Sequence, residues 1–207
     1  MRARAGVTLV FFVNGALFAS WASRIPALST RAGASNGVLG LALLAPAAAA
    51  IVTMPLVGRL LPGRPSRMFC RISLAGLMAA ILLPGLARGV PALAGSLFAV
   101  GITISALDLT MNAQGMSVER RLGRPILSSL HAAFSFGGFA GAGLGALAAG
   151  LGVAPLPHLA AAAVIFGVPG LIATVPMLAS DEDSDVHAPA LRWRALPTRL
   201  VLLGIAC

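Results

Sequence analysis

The chain has 207 residues, 58% of them apolar and only 10% charged, with 24 glycines and a mean hydropathy of +0.93. Soluble domains carry about 25% charged residues, so a water-facing surface cannot be built from this composition and a compact soluble enzyme is excluded. The net charge of +9 comes from 15 arginines, without a lysine, against six acids; the arginines sit in short breaks between apolar runs, with no aromatic-interleaved basic patch, which argues against nucleic acid as a partner.

A hydrocarbon core about 30 Å thick is crossed by about 20 apolar residues rising 1.5 Å each. On that measure the sequence predicts six membrane helices, over 6–23, 37–58, 68–87, 91–117, 127–150 and 158–178. The runs are continuously apolar, whereas a barrel strand alternates over about 10 residues, so the expected fold is all-α. Arg24-Ile25-Pro26 ends the first helix, Pro62-Gly63-Arg64-Pro65-Ser66-Arg67 separates the second from the third, and Arg88-Gly89-Val90-Pro91 makes the next turn. Glu119 to Pro125 and Gly152 to Pro157 supply the last two breaks.

In the first helix Asn14 lies mid-membrane and Trp21 follows seven residues later on the same face, where it reads as an interfacial anchor. A signal peptide is the alternative for this segment, on the basic Met1-Arg2-Ala3-Arg4 and the small-residue site Ser20-Trp21-Ala22. Against it stand the length of the apolar run, the polar Asn14, and the odd number of spans that cleavage would leave. Pro46 and Pro55 in the second helix and Pro169 in the sixth remove backbone donors and predict bends.

The fourth helix holds the one acid inside a predicted span. An acid there is disfavoured by about 2.5 to 3.5 kcal/mol and is kept mainly for function. Asp108 lies about ten residues, or about 15 Å, from the Glu119 break, near the midplane. Gly101, Ser105, Asp108, Asn112 and Gly115 stack along one side, and the fifth helix offers a matching stripe of Ser128, His131, Ser135 and Gly138. If two antiparallel helices joined by a short loop meet along these stripes, depth pairs Asn112 with His131 and Asp108 with Ser135. Interhelical hydrogen bonding is the simpler reading for Ser128 and Ser135, a functional site the reading for Asp108. His158 and His187 read as bland. Helices one, four and five thus share a polar interior, while three and six look like outer or packing helices.

Glycine recurs in the fifth helix as Gly137, Gly141 and Gly145, extended by Gly138 and Gly143, a ridge suited to close helix packing. No nucleotide-binding, nucleophile-elbow or metal-protease motif is present, and Cys70 and Cys207 sit in no metal-ligand spacing, so neither an enzyme activity nor a cofactor or metal is expected.

Orientation follows from the arginines. With the N-terminus cytoplasmic, Arg2, Arg4, Arg59, Arg64, Arg67, Arg71, Arg120, Arg121, Arg124, Arg192, Arg194 and Arg199 lie inside and Arg24, Arg31 and Arg88 outside, a split of twelve to three. After the sixth helix, Ser180-Asp181-Glu182-Asp183-Ser184-Asp185 and Leu191-Arg192-Trp193-Arg194 read as a solvated cytoplasmic linker over 179–199. Residues 200–207 begin another apolar run, too short to span, as expected of a fragment or of a gene truncated within a seventh helix.

Six helices with cytoplasmic ends, a basic loop after the second and a charged linker before a seventh run resemble the N-terminal half of a major facilitator superfamily transporter. The loop from Gly58 to Arg67 is similar to that family's G-x-x-x-D-R-x-G-R-R signature, with Gly58 and Arg67 in place but Pro62 at the acid and Gly63 at the first arginine. Phe11-Phe12-Val13-Asn14-Gly15, Trp21-Ala22-Ser23-Arg24-Ile25-Pro26, Asp108 to Gly115 and Ser128 to Ser135 resemble the YbjJ-like permeases, bacterial relatives of sugar-type proton symporters. The resemblance implies a bundle over 1–178 built from two inverted three-helix repeats, with helices one, two, four and five around a cavity. The fifth helix lacks the Gly-Pro pair of the family's antiporters, which favours uptake or symport over drug exchange.

The expectation is one half of a secondary transporter in the bacterial inner membrane. Its partners are the bilayer, a small polar solute, a proton, and a missing C-terminal half or second copy. Asp108 is the expected proton site, with Asn14, Asn112, Gln114, His131 and Ser135 as polar cavity residues. The competing expectation is a non-transporting six-helix remnant that binds partners through its glycine ridge.

Overall fold

A computed structural model describes residues 1–179, which form helices and turns with no strand among them. The expected seventh helix and all of the central linker but its first residue lie outside the described residues. Among the described residues, six helices are long and apolar enough to cross a membrane: Arg2–Ala22, Asn36–Leu60, Ser66–Leu86, Val90–Leu122, Leu127–Gly150 and Pro155–Ala173. They are referred to below as the first to sixth spans.

The ends follow backbone chemistry. The fourth span runs past the expected 117 to Leu122 because nothing before Gly123 breaks it, and Gly123 then takes the left-handed φ of 61° that side chains avoid. The sixth span stops at Ala173, short of the expected 178. Thr174 turns its hydroxyl onto the Leu171 carbonyl at 2.7 Å, and Pro176 disfavours helix at the residue before it.

Proline sets the internal breaks. Pro46, Pro84 and Pro169 each stand in the first turn of a new helical segment: after the turn at Leu43–Leu44, after the turn at Ile81–Leu82, and after a π-helical turn over Ala163–Gly167. A proline has no N–H to donate into the preceding turn, so the ladder restarts at its ring. Pro55, by contrast, is carried inside a continuous segment, Ala45–Leu60. Arg24-Ile25-Pro26 ends the first span as expected, yet it also starts a short helix, Ile25–Ala32, with Pro26 in its first turn.

The first span is the centre of the bundle. Of its apolar window 61% is buried, against 17% for the second span and 22% for the fifth. The fifth span lies along the first, while the fourth packs on the second and third. Glycine makes the first contact possible. A Cβ at Gly137 would overlap the Phe12 carbonyl, one at Gly141 the Ala16 carbonyl, and one at Gly15 the Phe134 carbonyl, so the two backbones touch directly. Gly138 and Gly143 meet open space. The third and sixth spans prove to be packing helices; the second and fifth are the more exposed.

Candidate functional site

The polar groups of the fourth span divide by burial: Ser96, Ser105, Gln114 and Ser117 are packed away, while Asp108 and Asn112 are only partly covered. Asp108 and Asn112 are half-buried, whereas Leu107, Met111 and Thr110 are closed off. Asn112 Nδ2 donates to the Asp108 backbone carbonyl at 2.9 Å and approaches Asp108 Oδ1 at 3.3 Å. A spacing of four residues on a helix stacks the two side chains, so this contact needs no other element.

From the first span, Asn14 is 3% exposed, with its Nδ2 3.6 Å from the sulfur of Met111 and its Oδ1 without a partner among the described residues. Phe11, one turn earlier on the same face, packs edge-on against the His131 ring with centroids 5.3 Å apart. Phe11 and Asn14 thus bridge the fourth and fifth spans. His131 itself is exposed and interacts electrostatically with Asp108.

The expected pairs do not form. Ser135 donates to the His131 carbonyl of its own helix at 3.2 Å, and Asn112 turns to Asp108. The reason is packing: the glycine ridge draws the fifth span onto the first, so the fourth and fifth share little contact. Where they do meet, near their loop, Leu127 and Leu130 cover Gly115. Counting depth assumed neighbours in sequence were neighbours in space.

Gln114 has a different setting from Asp108. It is fully buried, with Nε2 donating to Ser66 Oγ at 2.6 Å and to the Leu178 carbonyl at 3.2 Å, and Oε1 accepting from Leu178 N–H at 3.2 Å. It ties the fourth span to the start of the third and to the segment after the sixth. The loop motif is also split. Gly58 is exposed with open space about its Cα, while Arg67 Nη1 donates to the Val175 carbonyl at 3.4 Å. Its neighbour Arg71 donates to Thr174 Oγ1 at 2.9 Å, so the third span is fastened to the end of the sixth.

Two residues to which the sequence reading gives no site role are buried at the opposite end. Arg24, 4% exposed, donates to the Val153 carbonyl, while its other two nitrogens and both His158 nitrogens lack partners among the described residues. Arg24 reads as the end of the first helix, within the Trp21–Pro26 stretch that carries the resemblance, and His158 as bland, because neither a helix-end arginine nor a helix-start histidine carries a periodic signal of burial.

No family model matches the chain, and no solved structure does. Among known proteins, the uncharacterized transporter y4wD of Sinorhizobium fredii (strain NBRC 101917 / NGR234) is 32% identical over 203 residues, covering 97% of this chain and 53% of that protein. An uncharacterized MFS-type transporter of Yersinia pestis is 35% identical over 161 residues, 76% of this chain and 41% of its own length. The chain belongs to the major facilitator superfamily. Membrane protein MosC of Rhizobium meliloti is also similar, at 30% identity over 135 residues, 65% of this chain and 33% of that protein. This major facilitator superfamily chain spans about half the length of the relatives it matches or less. It is an integral membrane protein, and its half-buried Asp108 stands in one of six membrane-length helices.

Proposed function

We propose that this chain forms the N-terminal half of a proton-coupled secondary transporter for a small polar solute, oriented with its N-terminus in the cytoplasm of a bacterial cell and lying in the inner membrane. The observation that carries the reading is the Asp108 carboxylate, half-buried within a membrane span, hydrogen-bonded to Asn112 and facing His131. A carboxylate is expensive at that depth and titrates between a charged and a neutral form, which is what coupling to a proton requires.

In this reading Asp108 carries the proton. Asn112 and His131 bias its charge, and Asn14 Oδ1, an acceptor left unpaired, takes a hydrogen bond from solute or water; an unsatisfied buried group otherwise costs about 1–3 kcal/mol. Ser135 lines the same side, Gln114 holds the wall in place from behind, and Gly58 and Arg67 flank the cytoplasmic loop from the ends of the second and third spans. Two inverted three-helix repeats and a second bundle, from the rest of the protein or another copy, complete the alternating-access device. The rival reading, a partner-binding remnant, loses its surface: Gly137 and Gly141 are taken up by the first span.

The test is accumulation by the full-length protein in liposomes under an imposed proton gradient, using a panel of radiolabelled sugars and polyols. Accumulation abolished by Asp108→Asn supports the assignment. Accumulation with unchanged pH dependence in that variant would show that Asp108 only joins helices.

A further inference from the structure

At the arginine-rich end of the bundle a groove of about 530 Å³ opens between the start of the first span, the end of the fourth and the start of the fifth. Its chemistry is divided. Arg4 and Arg124 stand at the mouth, and neither guanidinium has a hydrogen-bond or ion-pair partner among the described residues. Leu9, Phe12, Ala133 and Phe136 form its walls, with Leu9 and Phe136 still 38% and 67% exposed.

Depth gives the division a meaning. Arg4 and Phe12 are eight residues apart on one helix, or about 12 Å at 1.5 Å per residue, so the groove runs from the level of the loops well into the apolar layer. Phe136 lies at a similar distance below Arg124. An occupant must therefore place negative charge at the interface and an alkyl chain beneath it. Free anions would satisfy the arginines and leave Phe12 and Phe136 uncovered; a neutral lipid would do the reverse. Basic pockets between membrane helices at one interface suit acidic lipid head groups for this reason.

We propose that this groove is a site for an acidic phospholipid, with its phosphate between Arg4 and Arg124 and an acyl chain along Leu9, Phe12 and Phe136. The site is separate from Asp108 and does not depend on the protein being a transporter. Each arginine near an acidic head group adds to the attraction, so removing both lowers affinity by about tenfold or more.

Native mass spectrometry of the full-length protein, titrated with phosphatidylglycerol or phosphatidylcholine of identical chains, tests the site. The expected result is preferential retention of phosphatidylglycerol, a preference reduced about tenfold in Arg4→Gln/Arg124→Gln and kept in Arg31→Gln/Arg88→Gln, which alters arginines at the opposite end. Ala133→Trp, which fills the groove and leaves both arginines, should reduce retention too, and it serves as the test if the double variant does not fold. Equal retention of the two lipids by the unaltered protein overturns the proposal. So does a preference that survives in Arg4→Gln/Arg124→Gln or Ala133→Trp, or one abolished by millimolar inorganic phosphate.

Discussion

Asn112 donates its side-chain amide to the backbone carbonyl of Asp108 at 2.9 Å and lies 3.3 Å from the same residue's carboxylate. The pair is thereby self-contained on one helix, while the fifth span brings His131 into electrostatic range of the same carboxylate. A carboxylate whose near partner travels with it keeps that partner in any rigid movement of the fourth span, while its relation to His131 changes with the gap between spans.

Replacing Asp108 with Asn keeps the shape and the Asn112 contact but removes the titrating group. Expression and melting temperature should stay close to those of the unaltered protein, and gradient-driven accumulation should fall by at least about tenfold, with solute exchange retained. His131→Gln, which alters a side chain of the fifth span and leaves the carboxylate in place, should reduce accumulation less. The proposed order of effects fails if His131→Gln is the more severe of the two.

The fifth-span glycines separate into two classes that one measurement can tell apart. Gly137→Val drives a side chain into the Phe12 carbonyl, which belongs to backbone and cannot swing away, so the first and fifth spans must part. Overpacking of this kind costs about 1–3 kcal/mol, seen as a lower melting temperature in detergent. Gly143→Ala meets open space and improves helix propensity, so its melting temperature should hold or rise. Equal losses in the two variants would contradict the packing of these spans.

How much of this was legible in the sequence depends on the range of the interaction. Span positions were, because they need only an apolar run and a break; the fifth span was read at its observed limits, Leu127–Gly150. The stacking of Asp108 and Asn112 was also legible, being a property of one helix. Neighbours were not. The ridge Gly137, Gly141, Gly145 announces a close contact without naming its other side, and only the fold shows Phe12, Ala16 and Ser23 there. Gln114 illustrates the same limit: an amide two residues from Asn112 points a side chain some 200° around the helix, into a three-segment junction that no spacing within the fourth span encodes.

That junction is separable from the site by experiment. Gln114→Leu removes both donations, to Ser66 and the Leu178 carbonyl, and leaves the Leu178 N–H without its acceptor. Hydrogen bonds between membrane helices are worth about 0.6 to 2 kcal/mol, so a clear fall in melting temperature is expected, with a smaller one for Ser66→Ala. Protein that remains folded should still accumulate solute. Lost accumulation without lost stability would move Gln114 into the solute pathway.

Topology can be tested without knowing the solute. Arg64 and Arg121 are exposed at one end of the bundle and Arg88 at the other, as alternate ends of antiparallel spans require. Loops rich in arginine are retained on the cytoplasmic side, and the three sites fall on opposite sides of the twelve-to-three split. With Cys207 and any cysteine outside these 207 residues replaced by Ser, Cys70 is wholly buried and should stay silent. Arg88→Cys should then react with an impermeant maleimide added to intact cells. Arg64→Cys and Arg121→Cys should react only after the cells are opened. Labelling of Arg64→Cys from outside would invert the bundle, and with it the side from which the proposed proton site at Asp108 is reached.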